Sequence, residues 1–280
     1  MTEIDATTFV EEVREAGEGL SPVRAGLLIA REVAYPDLRP SDVMVQIEDL
    51  ADQARETVLR DAGGQARGAA LARFLFEAQG FQGNTLDYSD PRNSYLNEVL
   101  ERRLGIPISL SVLYLEIGRW LRVPAVGVGL PGHFIVSIAE DGAGGNPLYL
   151  DPFNGGRILT MDDCRELVRG STGQERFDPE YLLPTPPRDI VARMLNNLRG
   201  FYLSVEDWAL AIAVMERLQA LQPGVSTHVR DLGVLHYRSG HFRKASALLN
   251  EYLVREPDAP DGDSVRQGRD LLLEELGRLN

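Results

Sequence analysis

Between Pro107 and Leu121 apolar residues fall on nearly every side of a helical wheel: Ile108, Leu110, Val112, Leu113, Leu115, Ile117, Trp120 and Leu121. A helix that is apolar all round has to be enclosed by other elements, so the rest of the chain must be arranged around this segment. Pro107 suits the first helical turn, where its missing N–H is not needed. Glu116 is the one acid among these residues, and once buried it requires a partner such as Arg119 or Arg122. At 280 residues the chain can enclose such a helix and has room for two modest domains.

After Pro124 the period changes. Ala125 to Leu130, Phe134 to Ile138 and Leu148 to Leu150 are short runs suited to strands. They are separated by Pro131-Gly132 and by Asp141-Gly142-Ala143-Gly144-Gly145-Asn146-Pro147, a hairpin-type loop. A buried helix followed by an antiparallel sheet predicts an α+β domain. His133 opens the second run and Asp151 ends the third. A carboxylate in that position can fix the imidazole tautomer and leave the other ring nitrogen free to serve a nucleophile.

Upstream, the chain to about Gln79 reads as helices. Phe9, Val10 and Val13, then Leu27, Leu28 and Val33, recur at helical spacing, as do Ile47, Leu50 and Ala54 within Val43 to Leu59. Ala69 to Ala78 adds a further helix that Gly80 stops. Gly80 to Arg92 is loop-like, and the helix that follows, 93–100, presents Leu96, Val99 and Leu100 as its apolar stripe. Thr160 and Asp162-Asp163 open a short helix over Met161 to Val168.

Pro184-Thr185-Pro186-Pro187 reads as a linker, which divides the chain into residues 1–183, a connection over 184–190 and a second unit over 191–280. Beyond it, Trp208-Ala209-Leu210-Ala211 aligns with Phe242-Arg243-Lys244-Ala245, Gln222-Pro223 with Glu256-Pro257, Leu198 with Leu232 and Leu218 with Tyr252, all at an offset of 34 residues. That period, with an aromatic, a small residue and a terminal Pro in register, resembles tetratricopeptide helix pairs. Two repeats and a final helix, Ser264 to Leu279, are too few for a freestanding solenoid, so they are expected to pack on the preceding domain.

Charge and composition narrow the function classes. A formal charge of −13 argues against dedicated binding to nucleic acid or anionic membrane. The single cysteine excludes an internal disulfide framework and a Cys-rich zinc site. With neither a hydrophobic leader nor a long apolar run, the expectation is a soluble, cytoplasmic chain. His228, His236 and His241 fall in the repeats without a carboxylate at ligand spacing, so neither a metal nor another cofactor is expected.

Taken together, Asp90-Pro91-Arg92-Asn93-Ser94-Tyr95-Leu96-Asn97, Gly105-Ile106-Pro107-Ile108-Ser109-Leu110-Ser111, Gly129 to Phe134 and Leu150-Asp151-Pro152-Phe153 resemble the SirB family of bacterial proteins. The resemblance implies a papain-like, transglutaminase-like α+β core behind helical N-terminal residues, joined to all-α tetratricopeptide hairpins. In active cores of this kind a Gly-x-Cys pattern opens the buried helix, and His and Asp follow on successive strands. His133 and Asp151 match the last two positions. Pro107 stands where the thiol would be, and an alignment shifted by two residues puts Ser109 there instead. Cys164 lies beyond Asp151 and reads as a small buried hydrophobe.

The candidate site residues each carry two readings. His133 is a general base or ligand-contacting imidazole, or else a core histidine. Ser109 is a nucleophile activated by His133, or a helix-start residue. Asn93 and Asn97, four residues apart on one helical face, bind a substrate amide in the cleft beside Pro107, or hold the Asp90-Pro91 turn. Asp90 and Arg92 form a local ion pair. In the repeats, Tyr202 and His236 occupy matching positions expected to line a partner-binding groove. The sequence favours a non-catalytic or regulatory module that binds a protein or peptide through its repeats. The alternative is an amide or peptide hydrolase, or an acyltransferase, using Ser109, His133 and Asp151.

Overall fold

The apolar stretch forms a helix at the centre of the molecule. The computed structural model describes residues 3–61, 63–140 and 145–278; residues 141–144 of the hairpin-type loop, and Leu279, lie outside them. Thirteen α-helices among the described residues are α1 (Glu3–Ala6), α2 (Phe9–Ala16), α3 (Pro22–Val33), α4 (Pro40–Leu59), α5 (Gly64–Ala72), α6 (Leu96–Arg102), α7 (Pro107–Trp120), α8 (Met161–Thr172), α9 (Pro187–Ser204), α10 (Trp208–Leu221), α11 (Ser226–Arg238), α12 (Phe242–Arg255) and α13 (Gly262–Arg278). The strands are β1 (Gln82–Gly83), β2 (Leu104–Gly105), β3 (Ala125–Val128), β4 (Ile135–Ile138), β5 (Leu148–Asp151) and β6 (Arg157–Leu159). No helix among the described residues is long and apolar enough to cross a membrane.

Helix α7 is packed by α4 and α5 and by the sheet, and its Val112, Leu113, Tyr114 and Ile117 are buried in the largest core cluster. Close approach of α5 requires Gly68, because a Cβ there would lie 2.4 Å from Ile138, and the Tyr114 hydroxyl donates to the Gly68 carbonyl at 2.8 Å. Glu116 finds the partner its burial demands. Arg119 pairs with it, and the Trp120 indole donates to the same carboxylate at 2.8 Å. The four longer strands form one antiparallel sheet in the order β3-β4-β5-β6, in the register Val126↔Ser137, Ser137↔Tyr149 and Tyr149↔Leu159. Helix α8 seals one end of the sheet with Cys164 and Val168 buried against Val128, Leu130, Ile135 and Leu159.

The proline-rich stretch is part of the fold rather than a free connection. Pro184 bridges to Val128, Thr185 donates its backbone N–H to the Gly127 carbonyl at 2.8 Å, and α9 begins at Pro187. Proline suits this place because β3 is an edge strand, where only alternate positions must donate. The predicted boundary also cuts through a shared core: α3 packs on α9 and α10 and α2 on α10, burying Phe9, Leu28 and Ile29 with Leu195, Leu198, Met215 and Leu218. Ion pairing adds to this contact where Arg217 reaches Glu32 at 3.0 Å. The N-terminal helices thus form a seat for the repeats, which the two hairpins require to bury their exposed end.

Candidate functional site

His133 and Asp151 are brought together as the strand register dictates. His133 follows a turn in which Gly132 has φ +73°, and a Cβ on Gly132 would lie 2.4 Å from Ser171. Only glycine combines that conformation with so close a neighbour. The His133 Nε2 lies 3.0 Å from Asp151 Oδ1. A carboxylate can only accept, so Nε2 carries the hydrogen and Nδ1 is the basic atom of the neutral ring. Among the described residues Nδ1 has no hydrogen-bond partner. The Phe153 ring stands edge-to-face on the imidazole at 6.1 Å.

Asp151 is 1% exposed and fully engaged. Its Oδ1 also accepts from the backbone N–H groups of Phe153 at 3.1 Å and Asn154 at 3.3 Å, and its Oδ2 accepts from the Asn154 amide at 2.7 Å. Burial alone would raise its pKa, but the bonds from His133 and Asn154 prevail and hold the carboxyl below its ordinary value. The pair opens onto a cleft of about 420 Å³ that is also lined by Phe153, Asn154, Arg157 and Glu166. Asn154 orients the carboxylate that orients the histidine. An Asx-type turn after the Asp is the signal that points to it.

The remaining sequence candidates do not join this pair. Ser109 is fully buried at the third position of α7. Its hydroxyl donates to the Asn93 carbonyl at 2.6 Å and accepts from the Ile106 N–H at 3.0 Å. That is a helix-start role, and no hydrogen bond links Ser109 to His133. Ser111 is spent in the same way on the Pro107 carbonyl at 2.7 Å. Pro107 is buried at the first turn of α7 and carries no reactive group.

Asn93 belongs to a short 3-10 turn, Pro91–Asn93, that precedes α6, so it does not share a helical face with Asn97 as expected. It is fully buried. Its amide nitrogen donates to the carbonyls of Asp87 at 2.7 Å and Tyr88 at 3.3 Å, and its oxygen accepts from Asn84 at 3.1 Å. Asn97 is half-buried on α6, with an Oδ1 that has no partner among the described residues. Asp90 pairs with Arg92 as expected and also with Arg102 at 3.1 Å. Cys164 is buried among apolar residues, and burial, reinforced by the charge of Asp151, pushes its thiol up to about 11. Such a thiol stays protonated and unreactive.

In the repeats, Tyr202 is committed to the core, whereas His236 lies at the edge of an open pocket of about 580 Å³ that Phe242 and Lys244 also line. Tyr202 is 4% exposed and its hydroxyl meets that of Tyr95 at 2.7 Å, so the residue locks the repeats to the core. His236 is equally buried, with its Nδ1 3.3 Å from that of His241. The surface that α11 leaves open is formed by Val234 and Tyr237, which with Arg230, Asp261 and the exposed Leu271 of α13 line a cavity of about 340 Å³. Among the described residues no three His, Cys, Asp or Glu side chains are grouped to hold a metal ion.

Comparison with known proteins agrees with this architecture. Residues 41–196 match the transglutaminase-like superfamily and residues 198–268 the tetratricopeptide repeat. A UPF0162 protein of Xylella fastidiosa is 38% identical over 254 residues, covering 89% of each chain. Protein SirB1 of Salmonella typhimurium is 23% identical over 88% of this chain and 91% of its own length. F-box only protein 21 of Homo sapiens is 38% identical over 134 residues, which make up 46% of this chain and 20% of that protein. No solved structure matches.

Proposed function

The chain belongs to the transglutaminase-like superfamily, alongside the UPF0162 and SirB1 proteins, and from that premise we propose that it is a protein-binding or regulatory module rather than an acyl-transfer enzyme. The observation that carries this reading is the state of Ser109. Its hydroxyl is buried and committed to the Asn93 carbonyl, while Pro107 fills the neighbouring place at the helix start. A serine nucleophile needs a base within hydrogen-bond reach, and His133 offers Nδ1 to no hydroxyl or thiol among the described residues. The retained His133–Asp151 pair then serves to contact a ligand in the cleft, and the repeats supply the partner surface. Cytoplasmic location is part of the same proposal.

A panel of fluorophosphonate and acyl electrophiles, read by intact mass and peptide mapping, should leave Ser109 unmodified. An adduct on Ser109 that disappears in His133→Ala would instead establish the hydrolase alternative. For the repeats, partner capture from host lysate should survive His133→Ala and be lost in Tyr237→Asp, because that substitution places a charge in the apolar surface beside Val234 and Leu271. Partners retained by Tyr237→Asp at the wild-type level would remove this surface from consideration.

A further inference from the structure

Arg193 lies on α9, the first helix of the repeat array, yet its guanidinium points back into the loop that carries His133. Its Nη2 donates to the His133 carbonyl at 2.6 Å and to the Leu130 carbonyl at 2.8 Å. The Leu130 carbonyl also accepts the His133 N–H at 3.1 Å, so one cation closes both ends of the Leu130–His133 turn. The guanidinium lies over the Phe134 ring at 5.5 Å. Among the described residues it makes no ion pair, and burial pulls its pKa down. A largely desolvated arginine with no carboxylate is costly, and it is retained where the fork geometry of its donors is needed.

The same loop is pinned from two further directions. Gly129 N–H donates to Thr185 Oγ at 2.8 Å, from the segment entering α9, and Ser171 of α8 donates to the Pro131 carbonyl at 2.9 Å. Two of these three ties come from residues beyond 183. The superfamily match likewise continues across the proline-rich stretch to residue 196, past Arg193.

We propose that Arg193 is a positioning residue that fixes the His133 backbone, and through it the His133–Asp151 hydrogen bond, so that the first repeat helix is a structural part of the site. This holds whether the pair binds a ligand or performs chemistry. With Arg193 removed, the loop keeps its internal N–H bond and the Thr185 and Ser171 ties, but the His133 carbonyl loses its donor and the imidazole is held less firmly against Asp151. The first repeat helix and the cleft are then linked by a pair of charged hydrogen bonds rather than by chain continuity alone.

The test is nitrogen-15 NMR on full-length protein labelled at histidine, where four side chains give a simple spectrum. In wild type the His133 Nε2–H should be protected, and its ring should show the Nε2–H tautomer. In Arg193→Met, which keeps the apolar stem and removes both charged hydrogen bonds, exchange of that proton should accelerate by at least about tenfold. The His228, His236 and His241 signals, internal controls for the repeats, should not move. If Arg193→Met does not fold, Arg193→Lys carries the test. It keeps the charge but not the planar fork, and the same acceleration is expected. Wild-type protection of His133 Nε2–H in a folded variant of either kind would overturn the proposal.

Discussion

Replacing Asp151 by Ala should destabilise the protein by about 3–5 kcal/mol at neutral pH, because several buried donors lose a charged acceptor at about 1–3 kcal/mol each. The substitution strips His133 Nε2–H, two backbone N–H groups and the Asn154 amide of their acceptor in a place where Asp151 is 1% exposed. Asp151→Asn keeps the volume and one acceptor oxygen, so its cost should be smaller, about 1–2 kcal/mol. The pH dependence has a defined sign. The folded-state carboxyl is held below its ordinary value, so its contribution is complete above the unfolded value of about 3.9 and disappears as pH falls through the lower folded value. Asp90 acts in the same direction: burial would raise it, but Arg92 and Arg102 prevail and hold it low. Only the difference between the wild-type and Asp151→Asn profiles therefore isolates Asp151. Urea unfolding from pH 7 down to pH 3 should give a flatter acid limb for the variant. Superimposable limbs, or an Asp151→Ala loss below about 1 kcal/mol, would show that the carboxylate is not the anchor described here.

What could be read in advance follows from the range of the interactions involved. Helix α7, the strands β3 to β5 and the repeat period are written in local hydrophobic spacing, whereas β6 has no such signal, and the His133–Asp151 pairing follows from placing His133 just before β4 and Asp151 at the end of the adjacent β5. Ser109 is different. A hydroxyl near a helix start has the same local appearance as a cap or as a nucleophile, and the Asn93 carbonyl that decides between them is 16 residues away. The face presented by Tyr202 is set by Tyr95, 107 residues earlier. Arg193 has no motif at all, because the carbonyls it serves lie about 60 residues upstream and carbonyls have no sequence identity. The proline-rich stretch has linker composition, and only the open edge of β3 gives Thr185 something to bond. Periodicity reports which elements exist; these tertiary contacts settle what a polar side chain does.

Asn93 shows the consequence most directly, because its two readings predict opposite behaviour. As a substrate-binding amide it would be accessible, and its loss would leave stability nearly unchanged. In the structure it is fully buried and ties the 84–88 loop to the turn before α6, while its own carbonyl holds Ser109 at the start of the central helix. Asn93→Ala removes donors from two carbonyls and an acceptor from Asn84, so a loss of about 2–4 kcal/mol is expected. Asn93→Asp should be worse despite its near-identical shape. It turns the Nδ2 donor into a charged acceptor facing the carbonyls of Asp87 and Tyr88, and the Arg102 guanidinium, 3.4 Å from Oδ1, stands on the opposite side of the group. The order wild type, Ala, Asp in decreasing stability, measured by thermal and urea unfolding at neutral pH, is the signature of an interior donor. A stable Asn93→Asp would mean that the group faces water, and the cleft-facing role would return.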